Sequence, residues 1–300
     1  KSDSKASQYY PTKKFIELFC ASLYSTFGDF DDYEAVKFDR FDKSDMPPKS
    51  DIERWEKVIR DYNTFMRDHS WAMKNPSSRS VKDFVGRSGR INNSYQNLAN
   101  RRLPLRINTL LDGEAIKEPD FTCNHLYMAS YLVGEDLPTD PYNYIAEETG
   151  LNRDKIKAVI TRCLGATSKQ QKGLLIRDAH KDSKVPMSAD AFRAILSSIE
   201  KNYPWVESNH LFFNDIGTRM QWLEGEIGLD MLKWSTDSNT PLLAVHDAYA
   251  VRSFDEDTTY NKMLDVRTQV LNRATKDKFI EATQYTVSIV RARKKDEAAG

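Results

Sequence analysis

The sequence predicts a mixed α+β fold, and three features support that prediction. Apolar residues in two stretches of the first 80 residues repeat with the helical period. Between residues 89 and 121 this period gives way to short segments broken by Asn, Pro and Gly, as in strands and loops. Residues 241–251 form a dense apolar run with His246 and Asp247 at its centre, which is typical of two strands joined by a turn.

The predicted elements follow one another along the chain. Residues 9–80 are interpreted as a helical region, in which Trp55 and Ile59 share one face of a helix. Residues 114–121 are predicted to be a strand that runs into Asp120. Further helices are predicted at 140–164, 188–201, 218–234 and 257–274, and a β-branched stretch follows at 285–290. The polar chain ends are expected to be frayed.

The whole chain is electrically balanced, with 44 basic and 44 acidic residues. Many nucleic-acid-binding domains have a basic excess, so this balance counts against nucleic-acid binding through the whole surface. Basic residues nevertheless cluster at 87–106 and at 153–177. Contacts with phosphate groups are therefore expected at these two clusters.

The cysteines and the hydropathy pattern indicate the compartment in which the protein is expected. Cys20, Cys123 and Cys163 lie far apart, without the paired spacing of a zinc site or a disulfide framework. No apolar run reaches the roughly 18 residues that a membrane span needs. We therefore expect a protein of a reducing compartment, the cytoplasm, that does not bind a membrane.

Asp120 and Asp247 are the acidic residues whose positions most strongly indicate chemistry. Asp120 follows a strand-like segment, and Asp247 interrupts an apolar run. A carboxylate in such a place is costly unless it is solvated or neutralised by a cation. Carboxylates from two strands can bridge two magnesium ions, which stabilise the attacking and leaving oxygens of phosphoryl transfer. The residues alone leave a simpler interpretation open, in which Asp120 caps a helix and Asp247 lies in an ordinary turn.

Arg153 and Lys157 are four positions apart in a predicted helix. Residues with this spacing share a helical face, so the pair can present two cations to one triphosphate. The same pattern is also typical of a solvated basic face.

Three motifs, taken in their order along the chain, resemble those of the family A nucleic-acid polymerases. They are EPDFTCNHLYMASYLVGED at 118–136, LNRDKIKAVITRCLG at 151–165 and LLAVHDAYAV at 242–251, similar to motifs A, B and C respectively. The metal positions of motifs A and C fall on Asp120 and Asp247. Residues 88–106 are similar to the Gly-Arg segment that precedes motif A, and residues 220–232 to the Gln-containing helix before motif C.

The resemblance implies a compact, exonuclease-free DNA polymerase of the phage or mobile-element type. Such an enzyme extends a primer 3′-hydroxyl with deoxynucleoside triphosphates by a mechanism that uses two Mg²⁺ ions. The implied catalytic and metal-binding residues are Asp120 and Asp247. The implied nucleotide-binding residues are Arg153, Lys157, His125 and Phe121, and the implied primer-template contacts are Arg90, Gln221 and His246.

The implied architecture is an α+β right hand with an antiparallel palm sheet, short helical fingers and a reduced helical thumb-like region. Its expected parts are the thumb-like region at 1–80, the palm at 81–133 and 204–300, the latter with a C-terminal tail, and the fingers at 134–203. The expected partners are a DNA primer-template, nucleoside triphosphates and replication proteins. A monomer in the cytoplasm of a bacterial or phage-infected cell is expected.

The sequence departs from the family pattern in ways that leave alternatives open. Ala248 stands where many of the DNA polymerases have a second acid, and Thr161 and Gly165 stand where motif B has aromatic residues. His125 replaces a Glu that crowds the nucleotide 2′ position; an imidazole can exclude a 2′-hydroxyl or form a hydrogen bond with it. A single-subunit RNA polymerase or primase of the same fold, or a catalytically silent nucleic-acid-binding replication module, are the alternatives.

Overall fold

The computed structural model describes residues 33–40, 45–71, 75–98, 104–168, 173, 175 and 187–282. Helices and strands are interspersed over these residues, so the chain has the mixed α+β fold that the sequence predicts. None of the helices in this part of the chain is both long and apolar enough to cross a bilayer.

The strands are short and the helices are of very different lengths. The strands are β1 (Val36–Asp39), β2 (Ser78–Lys82), β3 (Ser88–Asn92), β4 (Leu110–Leu111), β5 (Glu114–Lys117), β6 (Leu242–Val245) and β7 (Ala248–Arg252). The helices are α1 (Lys49–Arg67), α2 (Asn124–Val133), α3 (Pro141–Thr149), α4 (Arg153–Gly165), α5 (Ala189–Asn202), α6 (Trp205–Ser208), α7 (Ile216–Ser238) and α8 (Glu256–Lys276).

The strands form two sheets. In the first, the order is β1-β2-β3, with β1 parallel to β2 and β2 antiparallel to β3. In the second, four antiparallel strands lie in the order β4-β5-β7-β6. The hairpin predicted at 241–251 is confirmed as β6 and β7. The strand predicted at 114–121 is confirmed in β5, although its ladder ends before Asp120.

The helices predicted in the second half of the chain are confirmed as α5, α7 and α8. The predicted helical segment 140–164 contains two helices, α3 and α4, because the chain turns at Gly150, where φ is +65°. Each helix has its own cap. The side chain of Asp140 accepts hydrogen bonds from two amides at the start of α3, and Asn152 accepts one at the start of α4.

The interpretation of residues 9–80 as helical is wrong in part. Helix α1 buries the expected face, but β1 and the start of β2 also lie in this region. β1 has only four residues, too few for the alternation of Val36 and Phe38 to be distinguished from other patterns. Its partner is distant in the chain, since Val36 lies opposite Arg79. The predicted frayed ends and the stretch 285–290 lie outside the described residues.

Helix α7 packs against β3, α1 and α8 and is buried along most of its length. Gly225 lies so near β3 that a Cβ atom there would be 2.0 Å from the carbonyl oxygen of Gly89. Arg79 donates a hydrogen bond from Nε to the same oxygen, at 2.9 Å. This close approach places Arg90, the next residue of β3, beside α7.

Candidate active site

One cleft of about 400 Å³ brings together residues from β3, from the segment before α2 and the start of α2 itself, from helices α3, α4 and α7, and from the β6-β7 turn. Most of the residues that were given roles from the sequence line it, namely Arg90, Asp120, Phe121, His125, Arg153, Lys157 and Asp247. The exceptions are Gln221 and His246. Side chains from segments far apart in the chain therefore share one concave site, as expected of a ligand-binding cleft.

The backbone explains why Asp120 and Asp247 meet. Asp120 forms an isolated antiparallel bridge with Ala248, the first residue of β7. The amide of Tyr249 donates a hydrogen bond to the carbonyl of Pro119, at 3.2 Å. Asp120 is therefore paired with the residue that directly follows Asp247, and both aspartates line the cleft.

The two aspartates are in an environment that disfavours their charged forms. Burial and the carboxylates of Glu224 and Asp120 raise the pKa of Asp247 to about 6. Burial also raises the pKa of Asp120, although the charge of Lys157 opposes that shift. The negative charge here is only partly compensated, and a bound cation would compensate it further.

Asp120 and Asp247 supply the hard oxygen ligands that Mg²⁺ prefers. Within the described ranges, no three or more His, Cys, Asp or Glu side chains are grouped as a ready ligand set for a metal. Mg²⁺ commonly takes one or two carboxylates, keeps several waters and completes its shell with substrate phosphates. The two aspartates therefore fit a magnesium site that a phosphate-bearing substrate would complete.

Arg153 and Lys157 lie in the first two turns of α4 and supply positive charge to the cleft. Arg153 donates from Nε to Oδ2 of Asp140, at 2.9 Å, and its guanidinium lies 5.3 Å from the ring centroid of Tyr142. Burial opposes ionisation of Asp140, but Arg153 and two backbone amides hold its pKa below the ordinary value. Among the described residues, the terminal nitrogens of Arg153 have no hydrogen-bonding partner, so they are available to a ligand.

Glu224 of α7 also lines the cleft, although the sequence does not predict a role for it. Its side chain is 1% exposed and contacts Arg90, Asn124 and His125 inside the cleft. Burial opposes its ionisation, but the charges and hydrogen bonds of His125 and Arg90 hold its pKa at about 2. Its carboxylate is therefore ionised at neutral pH.

Two of the predicted primer-template contacts, Gln221 and His246, are near the cleft but do not line it. Gln221 is half-buried on α7, one turn before Glu224. His246 is exposed at the β6-β7 turn, where it has φ +59° and directly precedes Asp247. A sequence signal for Glu224 did exist, because it is an acidic residue in the apolar stretch that begins at Trp222.

No protein-family model matches this sequence, and no curated protein matches it significantly. The site itself nevertheless defines a chemical class. Two partly buried carboxylates share one cleft with an arginine and a lysine, on a mixed α+β fold. This combination suits a divalent cation bound together with a polyphosphate.

Proposed function

We propose that this chain is a template-directed DNA polymerase, a nucleotidyltransferase similar to family A, in which a primer 3′-hydroxyl attacks the α-phosphate of a deoxynucleoside triphosphate. The observation that carries the proposal is the presence of Asp120, Asp247, Arg153 and Lys157 in one cleft. A chance set of motif resemblances would not require these four residues to meet. The antiparallel sheet that carries Asp247 would then be the palm, and α3 to α5 the fingers.

Each site residue that the sequence predicts has a role in this proposal that follows from its chemistry. Arg153 and Lys157 bind the triphosphate, where their charges stabilise the negative charge that develops in the reaction. Phe121 and His125 contact the nucleotide, and Arg90, Gln221 and His246 position the primer-template. Positioning of the two reactants accounts for much of the catalysis expected in phosphoryl transfer.

Asp120 and Asp247 would hold Mg²⁺ in this proposal. When bound, the metal lowers the pKa of the attacking hydroxyl and neutralises charge on the triphosphate. The raised pKa values of the two aspartates support this assignment, because they indicate carboxylates whose negative charge is compensated only in part by Lys157 and Arg90.

Primer extension in Mg²⁺ tests the proposed function directly. A 5′-labelled primer annealed to a longer template should be extended by the wild-type chain in the order that the template dictates. Extension with ribonucleotides alone, or synthesis without a primer, would favour the RNA polymerase or primase alternative. Binding of the primer-template without any extension would favour a silent binding module, an alternative that Ala248 and Thr161 keep open.

Replacing Asp140 with Asn is expected to raise the KM for the nucleotide about tenfold, with a smaller effect on kcat. Asn caps a helix as well as Asp does, so α3 should be retained. The charge that orients Arg153 through Nε is lost, which weakens triphosphate binding. Asp190→Asn is a matched control, because Asp190 forms an exposed ion pair with Arg193 at the start of α5. An unchanged KM in steady-state primer extension would contradict this role.

Replacing His125 with Ala is expected to reduce the preference for dNTPs over NTPs about tenfold. The imidazole lines the cleft and is held by Glu224, so its loss opens space beside the nucleotide sugar. His125→Gln, which keeps much of the bulk, should retain more of the preference. The measurement is kcat/KM for matched dNTP and NTP pairs; an unchanged ratio in His125→Ala would remove His125 from sugar selection.

A further inference from the structure

The carboxylate of Glu224 joins three separate parts of the fold within the cleft. Its Oε2 atom accepts a hydrogen bond from Nε of Arg90, on β3. Its Oε1 atom lies 3.0 Å from Nδ2 of Asn124 and 2.9 Å from Nε2 of His125, both at the start of α2. Strand β3 and helix α2 are therefore connected to α7 through a single side chain.

The contacts of Glu224 argue against a role as a further metal ligand. Both of its oxygens already accept hydrogen bonds from side chains, and two of these donors are cationic or can become so. When both oxygens of a carboxylate accept hydrogen bonds from such donors, the protein itself compensates its negative charge. Asp120 and Asp247 differ, because their carboxylates lack such partners among the described residues.

The same hydrogen bonds also hold the side chains of Arg90 and His125 in place. Nε2 of His125 is 2.9 Å from Glu224 and 3.3 Å from a terminal nitrogen of Arg90. We assign the Nε2 proton to the shorter contact, so His125 donates to Glu224. Arg90 uses Nε for the same carboxylate, which leaves its terminal nitrogens for other contacts. Neither residue can move far without disturbing the partner that both share.

Glu226 shows that burial in α7 does not by itself produce this arrangement. It lies two residues after Glu224 and pairs with Arg54 at 2.8 Å and Arg79 at 2.7 Å. Neither arginine lines the cleft. The same helix thus carries one paired glutamate whose partners line the cleft and one whose partners only join structural elements.

We propose that Glu224 is a positioning residue that makes Arg90 and His125 act as one unit, so that binding of the primer-template and binding of the nucleotide favour each other. The inference rests on the proposed function, in which Arg90 contacts the primer-template and His125 the nucleotide. A primer-template that orders Arg90 also orders the carboxylate that holds His125. By linkage, the nucleotide must strengthen primer-template binding by the same factor.

The test compares Glu224→Gln with Glu226→Gln in the full chain. Fluorescence anisotropy with a dideoxy-terminated primer-template in Mg²⁺ gives the Kd with and without the matching dNTP, and the ratio of the two is the coupling factor. We expect a factor of about 10 or more in wild type and in Glu226→Gln, and about 2 or less in Glu224→Gln. Gln keeps the shape of Glu but presents an NH₂ group where one oxygen accepted a donor.

The outcomes separate this inference from the proposed function. Wild-type chain that extends primers, together with a folded Glu224→Gln variant of unchanged coupling, would overturn the role of Glu224 alone. Wild-type chain that neither binds nor extends a primer-template would overturn both proposals. Should Glu224→Gln not fold, Arg90→Gln and His125→Asn form a double-mutant cycle. The coupling lost in the double variant should then be no greater than in either single variant, whereas additive losses would reject the shared unit.

Discussion

Replacing Asp247 with Asn is expected to lower the rate of primer extension at least about a thousandfold. Asn keeps the shape of the side chain and removes the negative charge that would hold Mg²⁺. Asp120→Asn should have an effect of similar size, and the double variant should be little worse than either single one, because the two residues act as a unit. Single-turnover extension of a labelled primer measures the loss, and Asp237→Asn, on the exposed end of α7, is the control.

The stability of the Asp247→Asn variant shows whether the loss is chemical or structural. The pKa of Asp247 in the folded protein is about 6, above its ordinary value of 3.8. A raised folded pKa means that folding favours the protonated group, so the folded state loses stability as the pH rises from about 3.8 to about 6, and the loss is complete above that range. At pH 7.5 without metal, removing this charge should leave the Tm unchanged or raise it. The free energy of unfolding should increase by at most about 2 kcal/mol.

Magnesium supplies a second measurement that is independent of turnover. Mg²⁺ should raise the Tm of the wild-type chain, because a ligand that binds the folded state stabilises it. The rise should be absent in Asp247→Asn. Primer extension by this variant at a rate near that of wild type would contradict the assignment of Asp247.

The sequence predicts the part of the site that depends on local pattern. The apolar run that surrounds His246 and Asp247 identified a hairpin because its strands are adjacent in the chain, and tight hairpins have a strong local signal. The four-residue spacing of Arg153 and Lys157 is equally local. Strand β5 could be anticipated, but its pairing with β7 could not, because that contact joins distant segments.

The parts that the sequence did not predict depend on tertiary contacts. Arg90 and Glu224 are 134 positions apart, and no periodicity connects them. The sequence predicts a contact residue of α7 at Gln221, whereas the residue of α7 that lines the cleft is Glu224, one turn further along the helix and more deeply buried. The sequence also does not predict the parallel pairing of β1 with β2. A four-residue strand has too short a pattern to be recognised, and it is defined by its hydrogen bonds to a partner that is distant in the chain.

Replacing Gly225 with Ala is expected to lower the free energy of unfolding by about 3 kcal/mol or more. The added Cβ would lie 2.0 Å from the carbonyl oxygen of Gly89 and 2.8 Å from its carbonyl carbon. Gly89 cannot shift readily, because its φ is +93° and Arg79 donates a hydrogen bond to its oxygen. Urea denaturation followed by circular dichroism measures the loss.

Alanine substitutions at two other glycines should cost less stability than Gly225→Ala, in proportion to the space around each position. A Cβ at Gly228 would lie 2.8 Å from Cγ1 of Ile91, a side-chain atom that can rotate away, so Gly228→Ala should cost about 1–2 kcal/mol. A Cβ at Gly165, the last residue of α4, would meet nothing within 4 Å, so Gly165→Ala should be neutral or stabilising by up to about 1 kcal/mol. Gly225→Ala as stable as Gly165→Ala would contradict the close packing of α7 on β3. Because Gly225 follows Glu224 and Gly89 precedes Arg90, the same substitution should also weaken primer-template binding in whatever fraction remains folded.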